Sequence, residues 1–302
     1  MPELPEVETI RRGLAGRVVG RCVSDVVIGD KKVFQTSPME FEKGLVGQTI
    51  RELTRRGKFL IMALENSYCI IHLGMTGQLT FRDPVREDSD GFLRHPVTGL
   101  QRARQHAPDR HTHVQILFVD GSALLYRDIR KFGKVFLLNG SPEALAQFFQ
   151  KLGLEPFTPE YALKPFLGKF RRRKLRVKSL LLDQKFVSGV GNIYADEALF
   201  EAGIHPARLA SSLRRTEKER LFEAIRLVLE RGITYGGTSL RDYINSDGDQ
   251  GSNQEELMVY GRKDEPCLRC GSLIRKIVIS RRGTHFCPKC QEMEGRSIST
   301  PQ

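Results

Sequence analysis

Four cysteines near the C-terminal end place the tightest constraint on how this 302-residue chain can fold. They form two close pairs, Cys267 with Cys270 and Cys287 with Cys290, and sixteen residues separate the inner two. This spacing is typical of a structural zinc site in which two short turns supply four thiolates and a hairpin joins them. Because four thiolates fill the coordination shell of zinc, we expect one ion that stabilises a fold and takes no part in catalysis.

The predicted hairpin, residues 274–284, alternates strand-forming residues with the cations Arg275, Lys276, Arg281 and Arg282. A rigid and positively charged tip suits contact with phosphate groups. Many zinc ribbons bind other proteins, so a protein-binding ribbon is the alternative.

The chain carries 48 lysines and arginines against 36 aspartates and glutamates, a net charge of +12. This excess favours a polyanionic partner such as nucleic acid, although a solvated basic surface without a ligand would give the same total. No apolar run is long enough to cross a bilayer, and the acidic first residues differ from the basic start of a signal peptide. We therefore expect a cytoplasmic protein in which Cys22 and Cys69 are buried thiols.

Eight short apolar runs occupy the first half of the chain. Glycines and polar turns separate them and no long crossover helix intervenes, so an antiparallel sandwich or barrel is favoured over a doubly wound sheet. Residues 82–110 lack periodicity and are predicted to form a long surface loop. The runs are residues 23–28, 49–53, 59–64, 69–73, 78–81, 113–119, 123–126 and 135–138.

From about residue 141 the apolar residues follow a helical period. The clearest helix is predicted to begin with a capping box of Thr216 and Glu219 and to end at Gly232. A small third part of the chain follows Tyr260 and contains the four cysteines.

The start of the chain, Met1-Pro2-Glu3, allows two interpretations. Removal of Met1 would expose the secondary amine of Pro2, and an α-amino group has a pKa of roughly 7.7–8.0, so a sizeable fraction is unprotonated near neutrality. Such an amine can attack an aldehyde-like carbon and form a cationic iminium, with Glu3 as an adjacent proton donor. The alternative is an ordinary helix start, where proline and carboxylates are common.

A strongly basic segment, residues 164–185, leads into a glycine turn at residues 188–192. A glycine turn that opens a helix presents free backbone N–H groups, which suit a phosphate. A plain turn between two helices, preceded by a solvated basic face, is the alternative. The basic side chains are Lys164, Lys169, Arg171, Arg172, Arg173, Lys174, Arg176, Lys178 and Lys185.

Two apolar residues lie among glycines and cations. Met75 follows Gly74 at a strand end, and Phe132 follows two cations. Exposed side chains of this kind beside arginines suit insertion into a base stack, whereas core packing is the commonest role of a methionine. His111 and His113 could share a strand face, but two histidines alone do not make a metal site.

Together these motifs resemble the formamidopyrimidine-DNA glycosylase family of bacterial base-excision repair enzymes. The resemblance covers nearly the whole chain except residues 82–110 and the last dozen. It implies an α+β multidomain fold: an N-terminal antiparallel β-sandwich with flanking helices (1–140), a helical helix-two-turn-helix DNA-binding domain (141–258) and a C-terminal zinc-finger β-hairpin (259–302). The motifs are residues 2–9, 71–75, 130–133, 189–194 and 260–262, followed by the four cysteines.

The resemblance also implies a bifunctional DNA glycosylase and abasic-site lyase that acts on oxidised purines, with the damaged nucleotide flipped out of the duplex. In this family Pro2 attacks the sugar C1′ to form a Schiff base and Glu3 donates a proton, while Lys58 and Arg282 match the proton donors of β- and δ-elimination. The implied partner is double-stranded damaged DNA, the implied cofactor is one Zn²⁺, and we expect a monomer. The residues at DNA-contacting positions are His72, Met75, His111, Arg130, Phe132, Arg173, Asn192 and Tyr260.

Three positions depart from the family pattern. Ile129 stands where proline is common and Lys131 where arginine is usual, and the loop 251–254 lacks the aromatic residue that usually closes over the flipped base. The loop leaves the preference for 8-oxoguanine open. The nearest alternative is the sister branch that acts on oxidised pyrimidines, which typically has glycine where this chain has Leu4. A non-catalytic zinc-finger DNA-binding protein is the other, against which the intact Pro2-Glu3 pair argues.

Overall fold

The computed structural model describes residues 1–83, 93–94, 101–102, 108–170, 173–240 and 243–293. Most of the predicted loop 82–110 lies outside the described residues, as do Arg171 and Arg172 of the basic segment. Residue contacts divide the chain into two compact units. The sheet unit comprises Met1–Pro2, Glu6–Gln150 and Gly236–Gly251, and the helical unit comprises Glu3–Pro5, Lys151–Tyr235 and Ser252–Gln302.

The described residues of the sheet unit form ten strands: β1 (Val23–Ile28), β2 (Glu52–Arg56), β3 (Phe59–Ala63), β4 (Ser67–His72), β5 (Gly77–Arg82), β6 (Leu93–Arg94), β7 (Gln101–Arg102), β8 (Thr112–Phe118), β9 (Ala123–Asp128) and β10 (Lys134–Asn139). Two antiparallel four-stranded sheets have the orders β1-β8-β9-β5 and β10-β4-β3-β2, and the short β6 and β7 pair with each other. Buried side chains from both larger sheets form one core, so the predicted antiparallel sandwich is confirmed.

Seven of the predicted runs coincide closely with strands, but the run 49–53 is displaced. Thr49 forms only an isolated bridge with Cys22, and β2 begins at Glu52. Cys69 is completely buried in the sandwich core, whereas Cys22 is only half-buried.

Helix α1 (Leu4–Val18) buries one apolar face in the sandwich core through Val7, Ile10 and Leu14. Full burial of such a side chain stabilises a fold by about 1.5–3 kcal/mol. A Cβ atom at Gly13 would lie 2.1 Å from the Ser246 hydroxyl oxygen, so only glycine allows this close approach. Two short helices, α2 (Pro38–Lys43) and α3 (Pro142–Phe149), also belong to the sheet unit and start with a proline, which suits the first helical turn.

The helical unit contains α4 (Leu163–Gly168), α5 (Val177–Leu182), α6 (Asn192–Glu201) and α7 (Arg215–Thr234), followed by a hairpin of β11 (Arg275–Ile279) and β12 (Arg282–Phe286). Every residue of α6 from Ile193 to Phe200 is buried, so this helix is the centre of the unit. A second, smaller apolar cluster lies beneath the hairpin and includes Phe200, Ile274 and two of the cysteines.

The start of α7 differs from the sequence prediction. Its N-cap is Arg214, whose backbone N–H donates to a carboxylate oxygen of Glu217 at 2.7 Å. Glu217 is buried and also accepts two bonds from the guanidinium of Arg208. The predicted capping box of Thr216 and Glu219 is therefore wrong. The buried Arg208 holds the carboxylate of Glu217 in position to cap the helix.

The end of α7 also differs, because the helix continues through Gly232 to Thr234. A Cβ atom at Gly232 would lie 2.4 Å from the hydroxyl oxygen of Tyr194. The glycine therefore permits packing against α6 and does not terminate the helix. Within the described part of the chain, no helix combines the length and apolar character needed to cross a membrane.

Candidate functional site

The carboxylate of Glu3 caps the start of α6. Its side chain is buried, with Oε2 accepting the N–H groups of Gly191 at 2.7 Å and Tyr194 at 3.4 Å, while Oε1 accepts that of Ile193 at 3.0 Å. The first N–H groups of a helix have no partners within the helix, and the helix dipole favours negative charge there. The residue that follows Pro2 is thus fixed to one helix start.

The glycine turn before α6 makes room for this cap. A Cβ atom at Gly191 would lie 2.3 Å from Cδ of Glu3. Gly189 has a φ of +88°, and a Cβ atom there would lie 2.6 Å from Cβ of Leu4, whose backbone N–H donates to the Gly189 carbonyl at 3.0 Å. The sequence predicts that this turn offers free backbone N–H groups to a phosphate. Three of these N–H groups donate to Glu3 instead, so the prediction is wrong for them.

Three predicted site residues meet at the start of β12. The side-chain amide of Asn192 donates to the carbonyl of Gly283 at 3.0 Å and to the hydroxyl of Tyr260 at 3.5 Å. Arg282 directly precedes Gly283, and its side chain is exposed. The Oδ1 atom of Asn192 is buried and has no hydrogen-bond partner among the described residues. Asn192 therefore fixes the backbone beside an exposed cation.

A buried ion pair ties the same hairpin to α5 and α6. Nζ of Lys178 lies 2.6 Å from Asp196 and donates to Thr284 Oγ1 at 2.9 Å and to the Gly283 carbonyl at 3.1 Å. Burial lowers the pKa of Lys178, and the charge of Asp196 opposes this change. Asp196 also accepts the backbone N–H of His285 at 2.8 Å. Lys178 thus belongs to the core of the helical unit. The prediction that it lies on a solvated or phosphate-binding face is wrong.

A second carboxylate of α6 holds the chain just before the cysteines. Glu197 accepts the N–H groups of Met258 at 2.9 Å, Val259 at 3.0 Å and Tyr260 at 2.8 Å. Burial raises the pKa of Glu197, and the three backbone donors partly offset that effect. The ring of Tyr260 lies edge-on to His285, with centroids 5.0 Å apart. Tyr260 is therefore positioned from both its backbone and its ring.

The four cysteines form a compact donor set, with all Sγ atoms within 4.8 Å of one another. The Cys270–Cys287 and Cys267–Cys290 sulfur distances are 3.4 and 3.9 Å. Zn–S bonds of about 2.3 Å in a tetrahedron separate the sulfurs by about 3.8 Å, so the residues fit a zinc ion. Hydrogen bonds from Ser272 lower the pKa of Cys270 to about 6, whereas burial raises the pKa values of Cys287 and Cys290.

In the sheet unit, Lys58 and His72 lie at the same end of neighbouring strands. Lys58 is buried in the turn before β3, and His72 pairs with Phe59 in the register of β3 and β4. Burial lowers the pKa of His72 to about 4, and the charge of Lys58 acts in the same direction. Nδ1 of this neutral ring accepts the N–H of Gly74 at 3.2 Å, so the ring proton resides on Nε2. His72 can therefore donate one neutral hydrogen bond.

An ion-pair network from α1 fixes the turn that carries Lys58. Arg55 donates to Glu8 at 3.1 Å and to the carbonyl of Gly57 at 2.9 Å. Glu8 also accepts bonds from Arg11 and from the arginine that follows it in α1, each at 2.8 Å. Burial acts to raise the pKa of Glu8, but the hydrogen bonds and charges of these arginines outweigh it and lower the pKa to about 2.

Met75, Arg130 and Phe132 form an exposed tip at the end of the first sheet. Met75 is 37% and Phe132 52% exposed, so Met75 does not serve the core, and the Arg130 guanidinium lies 4.5 Å from the centroid of the Phe132 ring. Gly74 has a φ of +65°, and a Cβ atom there would lie 2.4 Å from the backbone nitrogen of Gly133. The loop between β4 and β5, which carries Met75, is thus in backbone contact with the loop between β9 and β10, which carries Arg130 and Phe132. The side chains of both loops belong to one surface.

The two remaining predicted DNA-contacting residues are His111 and Arg173. His111 is half-buried before β8, where its Nε2 accepts a bond from Arg110 at 3.1 Å. Arg173 is half-buried in the segment between α4 and α5.

Three family models match successive parts of the chain. The formamidopyrimidine-DNA glycosylase N-terminal domain matches residues 1–135, the H2TH domain of the same enzyme matches residues 152–243, and a zinc finger found in FPG and IleRS matches residues 264–292. The chain belongs to the formamidopyrimidine-DNA glycosylase family.

Whole-length relatives bear this out. The formamidopyrimidine-DNA glycosylase of Bacillus licheniformis is 42% identical over 294 residues, which cover 97% of this chain and 100% of the relative. That of Enterococcus faecalis is 40% identical, with 99% and 100% covered. A Lactococcus lactis FPG mutant in complex with Fapy-dG-containing DNA has a TM-score of 0.83 at 36% identity, with 96% of this chain and 100% of that chain covered. A complex of Lactococcus lactis Fpg with abasic-site DNA gives the same TM-score and identity, with 96% and 99% covered.

Membership of this family identifies the ion of the four-cysteine site as zinc, since the zinc-finger model spans all four ligands. Sequence reasoning missed three buried carboxylates that organise the formamidopyrimidine-DNA glycosylase motifs: Asp128, Asp196 and Glu197. The available signal was weak. Asp196 and Glu197 are adjacent acids within an otherwise apolar helix, and Asp128 ends an apolar strand directly before the cations.

Proposed function

We propose that this chain is a bifunctional DNA glycosylase and abasic-site lyase that excises oxidised purines, such as 8-oxoguanine and formamidopyrimidines, from duplex DNA in base-excision repair. Membership of the formamidopyrimidine-DNA glycosylase family supports the proposal, as do similar structures that hold Fapy-dG or abasic-site DNA. The observation that carries it is the buried Glu3 carboxylate, held by three N–H groups one residue from the Pro2 nitrogen.

In the first step the Pro2 nitrogen, freed by removal of Met1, forms a bond to C1′ of the damaged nucleotide. The glycosidic bond breaks, the base leaves with its electron pair, and the proton that the Pro2 nitrogen loses neutralises the departing base. Glu3 donates a proton as the sugar opens, and a cationic iminium then joins Pro2 to C1′. A secondary amine suits this step because its iminium has no N–H proton to lose and therefore keeps its positive charge.

The iminium then drives strand cleavage. It withdraws electrons from C2′, so that this carbon loses a proton and the 3′-phosphate leaves in β-elimination, after which the 5′-phosphate leaves in δ-elimination. We assign Lys58 as the proton donor of the first elimination and Arg282 as that of the second. The buried position of Lys58 and the exposed position of Arg282 beside Gly283 support separate roles.

We assign two further groups of side chains to contacts with the DNA backbone and to the space left by the flipped nucleotide. The neutral ring of His72 offers one N–H donor, which suits a phosphate oxygen. The exposed tip of Met75, Arg130 and Phe132 suits the vacated space in the base stack. The remaining proposed DNA contacts are His111, Arg173, Asn192 and Tyr260.

We further propose that residues 1–140, 141–258 and 259–302 act as the catalytic, DNA-binding and zinc-finger domains. The partner is double-stranded damaged DNA, and the protein acts as a monomer in the cytoplasm, associated with the nucleoid. Zinc stabilises the finger and takes no part in the chemistry, because the four thiolates fill its coordination shell.

A second candidate substrate class is the oxidised pyrimidines. It is favoured by the loop 251–254, which has no aromatic side chain and whose Asn253 is buried and donates to the hydroxyl of Tyr194 at 3.3 Å. Leu4 argues against it, because this side chain is fully buried in the core of the helical unit, where the sister branch has glycine.

Borohydride trapping tests the proposal. Reduction of the iminium should give a covalent complex on a duplex with 8-oxoguanine opposite cytosine and on an abasic-site duplex. Pro2→Gly, which replaces the secondary amine by a primary amine whose imine can lose its proton, should weaken both. Trapping on the abasic duplex alone would support the lyase activity but not the excision of 8-oxoguanine. The next assay would then use duplexes that contain oxidised pyrimidines. Absence of trapping on both, with DNA binding intact, would leave a non-catalytic DNA-binding protein.

Two controls make the result interpretable. Mass spectrometry of the N-terminus must show that Met1 is absent, because a retained methionine blocks the Pro2 amine. Glu3→Gln must be compared with wild type for thermal unfolding, since either orientation of the glutamine amide places an NH₂ group against a backbone N–H that Glu3 now accepts.

A further inference from the structure

One buried carboxylate joins the two loops of the exposed tip. Asp128, at the end of β9, is completely buried. Its Oδ1 accepts the hydroxyl of Thr76 at 2.5 Å and the backbone N–H of Arg130 at 3.2 Å. Its Oδ2 accepts the backbone N–H of Gly133 at 2.8 Å and the hydroxyl of Tyr126 at 3.2 Å. The carboxylate therefore bonds to the residue after Met75 and to both sides of Phe132.

The main chain of Asp128 extends the same junction. Its N–H donates to the carbonyl of His111 at 3.0 Å, and its carbonyl is bonded to Nε2 of His113 at 2.8 Å. The Thr76 hydroxyl oxygen also accepts the N–H of Arg130 at 3.2 Å. The segments that carry Met75, His111, Arg130 and Phe132 thus all meet at this one residue.

The charge balance shows why these bonds act together. Among the described residues no cation forms an ion pair with Asp128, so its four hydrogen-bond donors alone offset the loss of water. Burial raises the pKa of Tyr126, and the charge of Asp128 raises it further, so Tyr126 stays a neutral donor. A buried carboxylate with incomplete hydrogen bonds is strongly destabilised. Because the bonds of Asp128 come from both loops, displacement of either loop leaves the carboxylate incompletely bonded, and the two loops are coupled to each other.

We propose that Asp128 is a positioning residue that locks the Met75 loop and the Arg130–Phe132 loop into one rigid wedge, which enters the base stack as a unit. The inference rests on the proposed function. Opening a base step costs a few kcal/mol. A wedge that is already ordered in the free protein loses less conformational freedom on insertion, so more of its contact energy is available to extrude the nucleotide.

Asp128→Asn tests the role with little change in volume. The amide replaces one acceptor oxygen by a donor, so at least one of the four bonds is lost. Excision of 8-oxoguanine from a base pair requires extrusion, and we expect its single-turnover rate to fall about tenfold or more, as for other small misplacements of positioning groups. Cleavage of an abasic duplex, where no base must be extruded, should change much less. The fluorescence rise of a 2-aminopurine placed beside the lesion should slow together with excision.

Further variants guard against a trivial loss of folding. Thr76→Val removes one donor to the carboxylate and should show the same selective loss, whereas Thr76→Ser keeps the hydroxyl and should restore the rate. Asp120→Asn is the matched control, because Asp120 lies in the turn at the other end of the β8–β9 hairpin and accepts the N–H of Ser122 at 3.0 Å. An unchanged 2-aminopurine signal and unchanged excision in both Asp128→Asn and Thr76→Val would overturn the proposal, as would equal losses on the paired lesion and the abasic site.

Amide hydrogen exchange separates this proposal from the proposed function. The Gly133 and Arg130 amides should exchange faster in Asp128→Asn than in wild type or Asp120→Asn, with or without any activity on DNA. Unchanged exchange at both amides would refute the lock itself. If wild type cleaves neither duplex, the proposed function fails, and the exchange result alone still decides whether the two loops are locked.

Discussion

Oε2 of Glu3 accepts the backbone N–H of Gly191, 188 positions further along the chain, at a distance of 2.7 Å. The same carboxylate accepts two more N–H groups from the first turn of α6. One side chain therefore serves both as the proposed proton donor beside Pro2 and as the cap of the central helix of the helical unit. Its chemistry and its contribution to stability cannot be changed independently by mutation.

Glu3→Gln should lower the free energy of unfolding by about 1–2 kcal/mol, because a cap is lost and a buried N–H group loses its acceptor. It should also abolish borohydride trapping on the 8-oxoguanine duplex. Urea unfolding measures the first effect, and Glu223→Gln on the exposed face of α7 is the control. A Glu3→Gln protein as stable as wild type would show that Glu3 does not cap α6.

The sandwich could be predicted from the sequence because its signals are local. Alternating apolar and polar residues, bounded by turns, define a strand such as β5 without knowledge of its neighbours, and the cysteine spacing alone defines the zinc site. The capping of α7 could not be predicted, because it depends on a contact that only the fold creates. Glu217 caps the helix in place of Glu219 because the side chain of Arg208 donates to its carboxylate.

The contacts of the proposed site residues could not be predicted from the sequence. Family motifs point to Asn192 and Arg282, but the bond from Asn192 to Gly283 links residues 91 positions apart. Buried carboxylates such as Glu197 were missed because their partners are mostly backbone N–H groups. Such groups carry no sequence signature, so only the fold reveals them.

Glu8 should make the stability of the protein depend on acid pH. Its pKa is about 2 in the folded chain and about 4.5 in a model compound, so the unfolded chain binds more protons between these values. The stabilisation is complete above pH 4.5 and is lost as the pH falls towards 2. Urea titrations should show a Glu8→Gln deficit of about 2–3 kcal/mol at pH 7 that shrinks below pH 4. The exposed Glu42→Gln is the control, and a deficit independent of pH would contradict the assignment.

His72 should remain neutral throughout the physiological range. Its pKa of about 4 lies below the model value of 6.5, so stability from this group is complete above pH 6.5 and decreases as the pH falls to 4. An NMR titration of the ring should show Lys58→Met raising the pKa, which still stays below 6.5 because burial is the larger cause. Lys134→Met, opposite His72 in β10, should leave it unchanged. A His72 that titrates normally in wild type would contradict the buried, neutral ring.

Zinc should be bound once per chain and depend on the four clustered thiols. Cys290→Ser should lose most of the metal measured by atomic absorption, because one of four thiolates is removed. Cys22→Ser, which changes a half-buried thiol of the sheet unit, should retain it. Amide exchange in β11 and β12 should accelerate when a chelator removes the ion. A Cys290→Ser protein with a full complement of zinc would exclude the four-thiolate site.

The tip of the zinc-finger hairpin holds two residues in a conformation that favours glycine. Ser280 and Arg281 have φ values of +48° and +60°, and they connect the paired residues Ile279 and Arg282. Positive φ at both central positions is the geometry of a type I′ turn, for which Asn-Gly is preferred. Arg281→Gly should therefore stabilise the hairpin by about 1 kcal/mol, while Arg281→Ala should not.

The two substitutions separate backbone strain from charge. Both remove one exposed cation, so each should reduce the slope of log affinity against log salt for duplex DNA by about one if Arg281 contacts a phosphate. Only Arg281→Gly should slow amide exchange in β11 and β12. If Arg281→Gly leaves both the salt slope and the exchange unchanged, the strained turn neither contacts DNA nor weakens the hairpin. A changed slope in both variants would explain why an arginine occupies a position where glycine is more stable.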